Sequence, residues 1–289
     1  MSLPRQLRTH QRRLAGVVAA IAAGATEARD ILAAVTPGGG KSLLPVIAAA
    51  RLMEAGIIER VCWVVPRDSL RLQAEEAFAD PAWRAALGHS ISVRSADNAP
   101  DLYRGMQGYV TTYQGIAAAP GLHLAAFRQH RTLLVVDEMH HLPALAETDP
   151  VAAGDEEDPA GAWSRALLPL LECATVRLLL SGTLERADGR GILWLPYRRG
   201  PRLRTREVDL DAPGWAVIGY SRAQALAERA VLPVTFGALD GEATWRDPEG
   251  TCVGPHRLSG YYPDETTRPA LFTALRTGFA EALLREAFL

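Results

Sequence analysis

The stretch DILAAVTPGGGKSLLP, Asp30 to Pro45, decides how this chain folds. Its first six residues, Asp30 to Val35, read as a strand of the kind buried inside a parallel sheet. Three glycines, Gly38, Gly39 and Gly40, come next, then Lys41 and Ser42, and a helix is predicted over Ser42–Ala55. Pro45 is tolerated in that helix's first turn, and Gly56 ends it. Strand, glycine-rich turn and helix in succession let backbone N–H groups turn inward around phosphate oxygens. Lys41 would then reach the β- and γ-phosphates of a nucleoside triphosphate, and the Ser42 hydroxyl would ligate Mg2+. The plain alternative is a flexible turn that ends in Lys-Ser by chance. Val35 stands where the generic phosphate loop begins with glycine, which weakens the generic match.

Composition narrows the classes. With 289 residues the chain can hold one large α/β domain, or one domain and a smaller appendage. An apolar fraction of 48% and a charged fraction of 22% are those of an ordinary globular protein. Cys62, Cys173 and Cys252 are too widely spaced for a disulfide framework or a metal quartet, and they suit a reducing, cytoplasmic setting. No apolar run approaches the roughly 20 residues of a membrane span. The start, MSLPRQLRTHQRR, has no apolar stretch directly behind its basic residues, which argues against a secretory signal. A net charge of −2 means that nucleic acid could be held only by a local surface. Two clusters offer one, Arg5, Arg8, Arg12 and Arg13, and the run Arg198 to Arg206; taken alone, each reads as a solvated face.

Apolar runs alternate with helical stretches along the chain, which argues for a parallel sheet covered by helices. Helices are predicted over Leu7–Ala23, Asp68–Ala79, near Leu122–Gln129 and around Trp163–Cys173. Further strands are predicted at Val61–Pro66, Ile91–Val93, Tyr109–Tyr113, Leu133–Glu138 and Val176–Thr183. The acidic stretch Glu147–Asp158 reads as a surface loop. Beyond Pro196 the rhythm changes. Ser221-x-x-Gln224 opens a short helix as a capping box, Asp240-Gly241 marks a hairpin, and an amphipathic helix is predicted from about Pro269.

A phosphate loop needs a carboxylate at a neighbouring strand end, and LLVVDE supplies Asp137 and Glu138. Asp137 would bind Mg2+, directly or through water, while Glu138 would position and deprotonate the attacking water. Alone, such a pair is a common cap or turn. With the glycine loop it points to a nucleoside triphosphatase. A zinc reading of Glu138-x-x-His141 fails because the H-E-x-x-H pattern needs histidine where Asp137 stands.

DEMHH, Asp137 to His141, resembles the D-E-x-H signature of superfamily 2 helicases and translocases, the DEAD/DEAH group, and other stretches resemble that family in order. TPGGGKS, from Thr36 and Pro37 to Ser42, is similar to its ATP phosphate loop, which accounts for Val35. LRTHQ resembles the segment whose glutamine reads the adenine edge, a role the resemblance gives to Gln11. PRDSLRLQ from Pro66 and Arg67, and TTYQ with Thr111, Thr112 and Gln114, resemble the two motifs that line a nucleic-acid backbone. Ser181, Gly182 and Thr183 match the SGT motif that links hydrolysis to strand binding. His140, beside the γ-phosphate position, can hydrogen-bond toward that motif and sense the phosphate.

The resemblance implies a RecA-like P-loop NTPase lobe over residues 1–197, a three-layer α/β sandwich with a mostly parallel central sheet. A small α+β connecting segment would follow over 198–289. Such motors cleave ATP between two lobes, and the second lobe's arginine motif does not follow here; RADGRG, Arg186 to Gly191, lacks its glutamine and last arginine. The expected function is therefore the N-terminal motor lobe of an ATP-dependent helicase or translocase, nearly inactive alone. Its partners would be Mg2+, a nucleic acid and a second RecA-like lobe, in the same longer chain or another subunit. The chain ends inside an apolar helix without a cap, which reads as a piece of something longer. Arg198–Trp245 resembles, more loosely, an insert of bacterial restriction- and phage-defence-related helicases, and so favours duplex DNA over RNA. The competing readings are a nucleotide-gated binding module without motor activity and a P-loop kinase.

Overall fold

The computed structural model describes residues 6–145, 159–199, 206–233, 241–257 and 260. The acidic stretch Glu147–Asp158 and the helix predicted from Pro269 lie outside them. Two compact units are present, Met1–Leu232 and Pro233–Leu289, and each is taken by itself.

The first unit is built on a seven-stranded sheet. In chain order its strands are β1 (Asp30–Val35), β2 (Arg60–Val65), β3 (Val93–Ser95), β4 (Gly108–Thr112), β5 (Thr132–Val136), β6 (Val176–Ser181) and β9 (Trp215–Tyr220). Across the sheet they run β3-β4-β2-β5-β6-β1-β9, and every pairing is parallel. Parallel pairing requires crossovers that place helices on both faces, so the central strands are buried on both sides and read as continuous apolar runs. β5 and β6 are buried at every residue. One face carries α1 (Thr9–Ala22), α2 (Leu44–Glu54) and α3 (Ser69–Ala79) on Ile31, Ala33, Trp63 and Leu178. The other carries α5 (Tyr113–Ala118), α6 (Pro120–Gln129) and α7 (Pro159–Cys173) on Leu32, Val64, Leu134 and Leu179. This is the α/β sandwich of a RecA-like lobe.

Local chemistry sets the helix starts. Asp80 caps α4 (Pro81–Leu87), accepting from the Ala82 and Trp83 amides, and Thr112 caps α5 from Gly115 at 3.0 Å. Ser221 and Gln224 form the capping box of α8 (Arg222–Ala227), as their spacing predicts.

Two features of the C-terminal third differ from the sequence reading. β9 falls in the stretch assigned to a connecting segment from 198 onward, yet it pairs with β1 from Asp30↔Trp215 to Val35↔Tyr220. The first unit therefore extends to Leu232 rather than ending at 197. Short alternating strands carry no label for the sheet they join; only the free edge of β1 decides it. The arginine run is flanked by a small antiparallel pair, β7 (Tyr197–Arg199) and β8 (Arg206–Val208). The predicted Asp240-Gly241 turn falls on Asp240, outside the described residues; among the described ones a hairpin joins β10 (Glu242–Arg246) and β11 (Cys252–Arg257). Its turn is Asp247-Pro-Glu-Gly250: Pro presets one dihedral, Gly250 takes φ +87°, and Asp247 Oδ1 accepts from Thr251 N at 2.7 Å.

Candidate active site

Because all seven strands are parallel, their C-terminal ends share one edge, where open α/β sheets bind ligands. The loop after β1 runs Thr36–Gly40. Gly38 and Gly40 take φ of +75° and +90°, and a Cβ on Gly39 would lie 2.7 Å from Val35 Cγ1 and 2.8 Å from Thr36 O. No other residue fits at Gly39, so the turn is tight enough to curl amides around an anion. Lys41 opens a short 3-10 turn, Lys41–Leu43, that leads into α2. Val35, which breaks the generic pattern, is fully buried as the last residue of β1.

The loop after β5 meets it. Lys41 Nζ is paired with Glu138 Oε1, and the Gly182 amide donates to Glu138 Oε2 at 3.4 Å. Pro37, Lys41 and Gly182 stand together, within 3.8 Å of where a Gly182 side chain would begin. Glu138 itself sits at φ +51°, ψ +49°, a left-handed geometry rare for a residue with a side chain. Strain of this kind persists where the surroundings over-determine it, and it clusters at functional sites.

The electrostatics separate the two carboxylates. Asp137 is pushed up from an ordinary 3.8 to about 6, first by burial and then by Glu138, with Lys41 pulling the other way. Burial would also raise Glu138, but the Lys41 hydrogen bond and charge, with help from Gly182 and His140, bring it below its usual range. His140 lies below the ordinary histidine value through burial and the charges of Lys41 and Arg186, against Glu138. Its Nδ1 is 3.0 Å from Ser181 Oγ and 3.4 Å from Glu138 Oε2. Since the Ser181 hydroxyl donates to the Thr183 carbonyl, its oxygen must accept, which assigns the proton to His140 Nδ1. The predicted link from DEMHH to SGT is therefore a direct hydrogen bond.

The other expected residues are more scattered. Thr36, Gly182 and Thr183 line a cleft of about 480 Å³ together with Arg13, Tyr220 and Arg222. Gln11 is buried beside the loop; its Oε1 accepts from Arg8 N at 2.8 Å and its Nε2 donates to Gly40 O at 3.3 Å. In this arrangement it braces the loop, and both ends of its amide are taken. Arg8 Nη1 adds a bond to Gly39 O at 2.6 Å, a contact no motif announces. Pro66 and Arg67 follow β2 at the same edge, and Arg67 and Gln114 are exposed. Thr111 is 1% exposed, so its hydroxyl offers a phosphate no surface, and Thr112 caps α5; strand alternation put one of the pair inside. Ser42 is exposed at the helix start. Among the described residues no three histidine, cysteine or acidic side chains cluster as a metal-binding group.

Sequence reasoning missed Tyr113 and Arg186. The Tyr113 hydroxyl donates to the Asp137 carbonyl from a fully buried ring, and Arg186 donates to the His140 carbonyl. Tyr113 lay inside TTYQ, but its burial was not visible there.

The profile of the family described as "Type III restriction enzyme, res subunit" matches residues 5–186, which hold the loop, the carboxylate turn and SGT. The chain belongs to this family. Its lobe is of the superfamily 2 helicase type. Uncharacterized proteins of Mycobacterium tuberculosis (strain H37Rv) and Mycobacterium leprae are 33% identical over 225 residues and 32% identical over 230 residues. Each alignment covers 78% of this chain and 33% of the relative. This res-family chain thus spans about a third of the length of the curated relatives it matches. Among solved structures it is similar to the Sulfolobus solfataricus SWI2/SNF2 ATPase core in complex with dsDNA (TM-score 0.44, 14% identity, 63% of this chain and 33% of that one). It is also similar to the UvsW helicase of bacteriophage T4 (TM-score 0.43, 19% identity, 68% of this chain and 61% of that one).

Proposed function

We propose that this chain is the ATP-binding motor lobe of a helicase or translocase that acts on duplex DNA. The observation that carries the reading is the convergence of Lys41, Glu138, Gly182 and the His140–Ser181 pair where β1, β5 and β6 end. A triphosphate seated on the loop amides would draw Lys41 onto its β- and γ-phosphates. Glu138, relieved of its partner, would be free to orient water and accept its proton. His140, uncharged and bonded through Nδ1 to Ser181, would carry the state of the γ-phosphate to the SGT loop. Ser42 and Asp137 fit a cation: Asp137 is a largely buried carboxylate that resists ionisation, and the nearest ammonium is committed to Glu138. When bound there, Mg2+ would neutralise charge on the phosphate oxygens.

Arg67, Gln114 and the residues around Pro66 and Thr112 would contact the nucleic-acid backbone without reading sequence. Duplex DNA is favoured over RNA by the family's description as a restriction-enzyme subunit. The segment 233–289 would lead toward a second RecA-like lobe, whose arginine supplies roughly 10³–10⁵ in rate. The test is calorimetric titration of ATP with Mg2+ into residues 1–289, with hydrolysis followed in the presence of duplex DNA, single-stranded DNA and RNA. We expect weak binding, very slow turnover, and DNA retention that falls steeply with salt. Failure to bind ATP refutes the reading. Robust DNA-stimulated hydrolysis by residues 1–289 refutes the need for a second lobe.

A further inference from the structure

Glu138 holds a left-handed backbone in the middle of the carboxylate turn, and the structure shows what keeps it there. Upstream, the Tyr113 hydroxyl donates to the Asp137 carbonyl. Downstream, Arg186 Nη1 donates to the His140 carbonyl. The two donors grip the turn on either side of the strained residue.

Both donors are themselves fixed. Tyr113 is 1% exposed and stacks on Trp163 of α7, ring centroids 5.7 Å apart at 20°. Arg186 is 13% exposed, and Asp188 takes its Nε and Nη2 at 3.0 and 2.6 Å in the two-pronged geometry that leaves a guanidinium little freedom. The backbones behind the two loops are also laced together, Ala144 N to Gly191 O at 2.7 Å and Leu193 N to Leu142 O at 2.9 Å. Each donor comes from a different functional stretch. Tyr113 belongs to TTYQ at the end of β4, and Arg186 belongs to the RADGRG stretch that follows SGT.

We infer that Tyr113 and Arg186 are positioning residues that clamp the Asp137–His140 turn in its strained form. In that form Glu138 faces Lys41 and Gly182, and the γ-phosphate contact depends on it. Tyr113 thereby ties the turn to the proposed DNA-backbone segment through a single hydroxyl. Both residues act on the turn through its backbone carbonyls. RADGRG, which fails as an arginine finger, finds its use inside its own lobe. The inference rests on the ATP reading for its functional half, but the hold on the turn stands by itself.

The test compares residues 1–289 with Tyr113→Phe, Arg186→Met and Arg186→Lys. Calorimetry gives affinities for ATPγS and ADP with Mg2+, and hydrogen exchange reports the amides of His141 and Leu142, which bond to Glu138 and Met139 carbonyls. Tyr113→Phe and Arg186→Met should each lower the preference for ATPγS over ADP about tenfold, the worth of one buried hydrogen bond. ADP affinity should hold, and exchange at His141 and Leu142 should quicken while Ala144 and Leu193 stay protected. Arg186→Lys, which keeps a donor, should recover part of the preference. Unchanged exchange in both variants overturns the clamp. Faster exchange with an unchanged ATPγS preference, or ATPγS and ADP weakening together, overturns the positioning role. A wild-type chain that binds neither nucleotide refutes the ATP reading and the positioning role with it, and the exchange data then decide the clamp alone.

Discussion

Asp137 makes the carboxylate turn costly to the fold, and that cost can be measured. Its carboxyl is held near 6 by burial, against 3.8 for an ordinary aspartate. Folding therefore favours the protonated form. Below 3.8 neither state is penalised; as pH rises the unfolded chain ionises first, and the fold loses stability until the pH passes the folded value near 6. Linkage over those two values gives a loss of about 1 kcal/mol at pH 4.5 and about 3 kcal/mol at pH 7.5. The substitution Asp137→Asn keeps a side-chain oxygen to accept from Glu138 N, as Oδ1 does at 3.0 Å, and has no charge to bury. With EDTA present, urea unfolding should show the variant gaining on the wild type by about 2 kcal/mol between pH 4.5 and pH 7.5. Carboxylates remote from Asp137 are common to both chains and cancel. Added ATP with Mg2+ should narrow the difference at pH 7.5, because the wild type gains more from binding. A difference that does not grow with pH would refute the account of Asp137 as a carboxylate strained by burial.

Three further outcomes follow from particular contacts. Glu138→Gln in the full-length protein should cut DNA-stimulated ATP hydrolysis by about 10²-fold or more while ATP still binds, and retained turnover in a steady-state assay would exclude Glu138 as the base. Gly39→Ala should abolish ATP binding by calorimetry, since its methyl would meet Val35 Cγ1 at 2.7 Å and the Thr36 carbonyl at 2.8 Å; wild-type affinity would show that the loop is not held in this turn. Asp30→Ala should cost about 3 kcal/mol in urea unfolding, because Asp30 takes Trp194 Nε1 at 2.8 Å and pairs Arg177 at 3.3 Å, whose guanidinium would be left buried over the Trp194 ring. A cost below about 1 kcal/mol would show that water reaches Arg177.

Much of the lobe could be read directly because parallel strands buried on both faces announce themselves. DILAAV is β1 to the residue, and the apolar runs at Val61, Leu133 and Val176 are β2, β5 and β6 to within two residues at each start. The glycine loop was legible for a related reason: Gly38 and Gly40 take positive φ and a Cβ on Gly39 would clash, so the turn leaves glycines. Less was legible where identity depends on a distant partner. Thr111 and Thr112 look alike in sequence, but the first is buried and the second is a cap. Gln11 reads as a base-reading amide and is found bracing Gly40.

By itself the sequence determined the buried strands β1, β2, β5 and β6, the glycine turn at Gly38–Gly40 and the carboxylate pair at Asp137–Glu138, since each depends on residues that are neighbours in the chain. Only the tertiary structure decided that β9 completes the sheet beside β1, that Lys41 faces Glu138 across 97 positions, and that Tyr113 and Arg186 grip the turn between them. Those contacts join groups far apart in the chain, and no local propensity records which buried hydroxyl or guanidinium will end up beside which carbonyl.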